Sequence, residues 1–154
     1  MEKMLLNIHM VFWQSYIVVL WGVYAFCGFL LGLKNKKNSF GLCNVFNPLG
    51  AFVWIDAIVF GLFFFLVSIF CLLLNQWIIF LLIISVFWMI RSLGEVLYWF
   101  LEQFAVKHRN PPHTLWPYEW FKGEEVWIVM QIFWQCIAVV GIVTSVVLFS
   151  RLKF

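Results

Sequence analysis

"CLLLNQWIIFLL", Cys71 to Leu82, decides how this chain folds. One long apolar run ends at Leu74, another begins at Trp77, and only Asn75-Gln76 lies between them. So short a polar interruption makes the flanking runs two helices joined as a tight antiparallel hairpin. Outward from it the pattern repeats. The apolar stretches are roughly Ile8–Leu33, Leu49–Leu74, Trp77–Leu101 and Val126–Phe149. Each reaches the ~20 residues that cross a ~30 Å hydrocarbon core as a helix.

Composition agrees. Hydrophobic residues make up 65% of the 154 and charged residues 11%, with a mean hydropathy of +0.99. A water-soluble domain of this size cannot hide that much apolar surface, so the solvent is lipid. The runs lack the period-2 alternation of a β-barrel. The expected fold is an all-α integral membrane protein: four transmembrane helices, over about 8–33, 49–74, 77–110 and 125–150, in one compact antiparallel bundle and a single domain. The first segment is expected to be a retained helix. Met1-Glu2-Lys3 is barely basic, the run is long for a signal peptide, and no A-x-A site follows it.

Local signals place the ends. Asn47-Pro48 has the form of an N-cap followed by proline at the first helical position, which puts the start of helix 2 there. Helix 3 is expected to run to about Asn110, where Pro111-Pro112 must stop it. In helix 1, "GFLLG" from Gly28 to Gly32 has the GxxxG spacing for close backbone approach, within the bundle or between copies.

The stretch "FWMIRSLGEVLYWFLEQF", Phe87 to Phe104, raises the functional question, because it carries Arg91, Glu95 and Glu102 inside an apolar helix. At about 100° per residue, Arg91, Glu95, Tyr98, Glu102 and Arg109 share one stripe, at steps of four, three, four and seven. Gly94 offers a further place of close approach. Asp56 lies 19 residues before Asn75, and Glu95 lies 19 after Gln76. In a straight hairpin the two therefore have similar depth, about 10 Å into helix 2 from Leu49. On helix 4, Glu124, Gln131 and Gln135 share a face, and Tyr24 and Cys27 of helix 1 have comparable depth. These residues predict a polar cleft open toward loops 1 and 3 and closed at its apolar other end.

Asp56, Glu95 and Arg91 sum to −1 when ionised. A lone charge at the membrane centre costs at least ~2.5–3.5 kcal/mol. Either one carboxylate holds a proton, or a cation completes the site, or water enters. Otherwise Arg91 is structural and bridges two helices through both carboxylates. The expected ligand- or ion-binding set is Asp56, Arg91, Glu95, Tyr98, Glu102, Gln131 and Gln135, and it implies a binding or transport component handling a proton, cation or small polar solute. Two alternatives are an accessory subunit of a larger membrane complex and an enzyme acting on a lipid headgroup near Glu102, His108 and Arg109.

Other chemistry lacks its residues. His9 and the pair His108/His113 fall on opposite sides, against a b-type haem. HExxH, GxSxG and a phosphate-cradling glycine loop are absent from the sequence. Cys27, Cys43, Cys71 and Cys136 have neither CxxC nor zinc spacing. No cofactor, metal or nucleic acid is therefore expected, and catalysis has no motif behind it. The expected partners are the bilayer, anionic lipid at Lys34, Lys36 and Lys37, and further copies or membrane-complex subunits. The loop 3 aromatics Trp116, Tyr118, Trp120 and Phe121 suit a headgroup-level anchor. Six Lys/Arg residues lie in loops 1 and 3 (Lys34, Lys36, Lys37, Lys107, Arg109, Lys122), against three near the termini (Lys3, Arg151, Lys153). This bias puts the long loops in the cytoplasm and the termini opposite.

Overall fold

The computed structural model describes residues 10–152. Their α-helices are α1 (Phe12–Lys34), α2 (Trp54–Leu74), α3 (Trp77–Glu102) and α4 (Glu125–Arg151). Short 3₁₀ turns punctuate the loops, and all four α-helices are long and apolar enough to cross a membrane. At 1.5 Å per residue, their 21 to 27 residues span about 32 to 41 Å. The class read from the sequence, an all-α multi-pass membrane protein, is the one observed. His9 and the expected helix start at Ile8 lie outside the described residues, as do Lys3 and Lys153.

The chain reverses at Asn75, which adopts the left-handed conformation (φ 55°). The Gln76 N–H reaches the Cys71 carbonyl at 3.1 Å, and the Asn75 N–H reaches that of Leu72 at 3.1 Å. This pair of bonds is a Schellman cap with asparagine in the place glycine usually takes. The Asn75 side chain accepts the Met10 N–H at 2.9 Å, and Trp13 packs edge-on to Trp77 with ring centroids 5.7 Å apart. Asn75 thus caps α2 and ties down the entry to α1.

Packing divides the chain into two compact units that meet within α3, one up to Ile83 and the other from Ile84. In the first, small residues let α1 and α2 touch through their backbones. Ala57, Gly61, Phe64, Ser68 and Cys71 recur along α2 at steps of four and three, and all are buried. A Cβ on Gly61 would lie 2.6 Å from the Phe29 nitrogen and 2.7 Å from the Ala25 carbonyl oxygen. One on Gly32 would lie 2.6 Å from the Ile58 side chain, and one on Gly28 3.1 Å from the Phe46 ring. The GxxxG pair therefore serves packing within the chain, with Gly32 against α2 and Gly28 against loop 1.

The start of α2 departs from expectation. Asn47-Pro48 lies in a 3₁₀ segment, Asn44–Leu49, which ends at Gly50 with φ 72°. The chain then extends, and α2 begins at Trp54. Its first N–H groups are satisfied by loop 1 carbonyls: Trp54 by Gly41 at 3.2 Å and Ile55 by Ser39 at 3.0 Å. Asn47 is thus not the cap of this helix. A long-range backbone frame does that work.

In the second unit, α4 buries Trp127, Met130, Trp134, Ala138, Gly141 and Ser145 at steps of three and four. On α3, Ser85, Ser92 and Trp99 are buried at steps of seven. A Cβ on Gly141 would come 3.1 Å from the Met89 Cα, so the helices are close here. Ser85 donates to the Gly141 carbonyl at 3.0 Å, and Ser145 donates to the Ser85 hydroxyl at 3.0 Å. The helix α3 stops at Glu102, not near Asn110. The Glu102 carboxylate captures the Asn110 N–H at 2.8 Å, which folds the chain back before the prolines are reached.

Candidate functional site

Of the expected polar residues, Asp56, Tyr24 and Cys27 belong to the first unit and Arg91, Glu95, Tyr98, Glu102, Gln131 and Gln135 to the second. Asp56 lies in the first turn of α2 and accepts the Phe52 N–H through Oδ2 at 3.3 Å. With α2 beginning at Trp54, it sits at the helix start and not about two turns inside. A carboxylate there offsets the positive end of the helix dipole. Tyr24 of α1 donates to the Val45 carbonyl at 2.5 Å, and Cys27 is exposed.

Arg91 and Glu95 form an ion pair at 2.6 Å, one turn apart on α3. Their side chains keep 21% and 14% of their accessibility, so the pair is largely but not wholly covered. The i,i+4 spacing makes this contact available within a single helix. Gly94 is exposed, and among the described residues a Cβ on it would meet nothing within 4 Å, so no close approach occurs there.

The end of α3 and the returning loop 3 build a second group around Asn110. Its Nδ2 donates to the Tyr98 hydroxyl at 2.5 Å, its N–H to Glu102 Oε1 at 2.8 Å, and its carbonyl accepts the Trp127 indole N–H at 3.0 Å. One asparagine thereby joins α3, the loop and α4. His108 stacks on Trp127 with centroids 4.0 Å apart and places Nδ1 3.0 Å from the Glu102 carbonyl. Glu102 is only 5% exposed. Tyr98 and Glu102 of the expected set therefore come together, while Arg109 leaves the helical stripe and lies exposed in the loop.

Gln131 meets Gln103, whose Nε2 donates to its Oε1 at 2.7 Å. Gln135 and Glu124 are exposed and do not join Gln131 at this contact. Beside Gln103, the Trp99 indole N–H is buried and, among the described residues, has no hydrogen-bond acceptor. Such an orphan donor is uncommon, because burying it unpaired costs roughly 1–3 kcal/mol.

Three participants lie outside the expected set: Asn110, Gln103 and Trp127. The only sequence signal for Asn110 was its position before Pro111-Pro112, a place where chains turn. Among the described residues no group of three or more His, Cys, Asp or Glu converges on a metal-sized site. The chain matches no family model, no curated protein and no solved structure.

Proposed function

We propose that this chain is a small membrane binding or transport component, and that the polar face of α3 with α4 handles a proton, a cation or a small polar solute. The observation that carries this reading is the Arg91–Glu95 pair, a 2.6 Å ion pair that is only partly covered, inside a helix apolar enough to span a membrane. Ionisable residues in such helices are rare and mark pathways or binding sites by default. Tyr98, Glu102 and the Gln103–Gln131 amide contact extend polar chemistry from that pair toward loop 3. Asp56 is kept in the set as a further carboxylate, tested by its own substitution, and Gln135 as a neutral member. Loops 1 and 3 are assigned to the cytoplasm from the Lys/Arg bias.

The test is flux. Purified protein in liposomes is assayed with a pH-sensitive dye and with cation-selective indicators, comparing wild type with Glu95→Gln, Glu102→Gln and Asp56→Asn. Flux or solute binding that falls in these variants supports the reading. A correctly folded wild type with neither would overturn it.

A second reading has its own support. Gln103–Gln131, the Ser85–Ser145–Gly141 ladder and the Asn110 hub join polar groups to one another, as in subunits where such groups act as helix glue. An accessory subunit of this kind would co-purify with stoichiometric membrane partners and show no flux alone.

A further inference from the structure

Loop 1 carries an observation that the proposed function does not use. Its backbone is a fixed frame. The Cys43 N–H bonds to the Phe52 carbonyl at 2.9 Å, and Leu42 and Val53 form an antiparallel bridge. Tyr24 holds the Val45 carbonyl, and Phe46 is buried against Gly28. Side chains therefore sort by position. Cys43, Phe46 and Leu49 point inward and are buried, whereas Phe40, Leu42 and Val45 are held outward at 79%, 75% and 73% exposure. A slack loop would fold such side chains under, and this frame prevents it.

The same surface is basic. Lys34, Lys36 and Lys37 are all exposed, and no Asp or Glu occurs between Lys34 and Ile55. Lys34 is the last residue of α1, which places the loop where a spanning helix leaves hydrocarbon. From residue 103 to 124, by contrast, loop 3 sets Lys107, Arg109 and Lys122 against Glu119 and Glu124, a formal +1 beside the +3 of loop 1.

We infer that loop 1 is a rigid apron that docks on anionic phospholipid, with Lys34, Lys36 and Lys37 on the headgroups and Phe40, Leu42 and Val45 in the acyl boundary. The chemistry selects this occupant. Exposed apolar side chains demand an apolar cover, and unbalanced lysines beside them demand negative charge. A second copy docking through the same face would set three lysines against three, which repel. The inference does not depend on what α3 does.

The experiment uses the full chain in phosphatidylcholine bilayers containing phosphatidylglycerol. Spin-labelled versions of the two lipids report which of them populates the protein-contacting shell. The wild type should favour phosphatidylglycerol, and the preference should shrink as salt rises. The combined Lys34→Gln, Lys36→Gln, Lys37→Gln variant should lose at least about fivefold of it, the effect of one lysine near an anionic surface. Lys107→Gln with Lys122→Gln should change it little. A second measurement covers the case in which the triple variant misfolds. A spin label at Val45→Cys, with Cys27 and Cys136 replaced by serine, should collide with oxygen more than with a water-soluble nickel chelate. Equal lipid preference in wild type and triple variant overturns the inference. So does a Val45 label open to the chelate, or a lysine-dependent cross-link to a second copy or to an acidic protein in place of lipid preference.

Discussion

Replacing Arg91 by leucine should destabilise the protein far more than removal of a surface charge does. The ion pair lies at 2.6 Å, with side chains 21% and 14% exposed. Fully exposed i,i+4 pairs contribute only ~0.3–0.5 kcal/mol. Removing one partner of a buried pair costs ~3–5 kcal/mol, because the other charge keeps its desolvation penalty. The observed exposure lies nearer the buried limit, so Arg91→Leu should cost about 2–3 kcal/mol. Glu95→Gln should cost less, since arginine's long stem lets its head reach toward the headgroups. The double variant Arg91→Leu/Glu95→Leu should be milder than the sum, with a coupling of about 1–2 kcal/mol. Reversible unfolding from dodecyl maltoside into SDS, followed by circular dichroism, supplies the four free energies of the cycle. Single effects below about 0.5 kcal/mol that add without coupling would show a water-exposed pair, and the argument for a site inside the span would fail with it.

Gly61→Val should separate α1 from α2, because its Cβ would meet backbone atoms at 2.6 and 2.7 Å. A loss of about 3 kcal/mol or failure to fold is expected, and a melt in detergent that matches wild type would contradict the packing. Glu102→Ala removes the acceptor of the Asn110 N–H, which should cost about 1–3 kcal/mol and speed amide exchange at residue 110. Cysteines placed at Ser39 and Thr114 should resist a membrane-impermeant reagent applied to intact cells, and labelling from outside would reverse the sidedness. Burial holds the Cys43 thiol above its ordinary value of 9.0, and the Asp56 charge adds to this against the opposing bond from the Phe46 backbone. Because the folded state disfavours the thiolate, Cys43 should resist maleimide at neutral pH. Its contribution to stability should decline as pH rises past 9, where the unfolded chain ionises first. Rapid labelling at pH 7 in the folded protein would contradict this.

The spans and the hairpin were legible because apolar length and a lone polar dipeptide are local signals. Asn75 could be read as a turn residue from its neighbours alone, and the i,i+4 relation of Arg91 and Glu95 follows from helix geometry. The boundaries were less legible, because distant atoms set them. Asn47-Pro48 carries a sound helix-start signal, but it starts a 3₁₀ segment, and Ser39 and Gly41 decide where α2 begins. Pro111-Pro112 does stop a helix, but Glu102 stops α3 first by binding the Asn110 N–H. Arg109 falls off the stripe for that reason. Gln135 shares a helix face with Gln131 in projection, yet only Gln131 meets an amide, because Gln103 reaches one turn of α4 and not the next.

The two units use different means to hold helices together. In the first, α1 and α2 meet through Gly32, Ala57 and Gly61, with backbone against backbone. Such a contact has no adjustable side chain, and a shift of even 1 Å loses close packing along the seam. In the second, α4 meets α3 at the close approach of Gly141 to Met89 and through the hydroxyls of Ser85 and Ser145, and it meets the chain after α3 through Gln103 with Gln131 and Asn110 with Trp127. Hydroxyls rotate and amides exchange partners, and in a membrane each such bond is worth only about 0.6 kcal/mol on average. A buried indole N–H with no acceptor among the described residues occurs in each unit, at Trp21 and at Trp99. The backbone contact at Gly61 leaves less room for adjustment than the hydroxyl and amide contacts of the second unit. Hydrogen exchange measured in lipid therefore ought to be slowest along Ala57–Cys71 and faster along Gln131–Ser145. The reverse order would assign the adjustable seam to the wrong pair of helices.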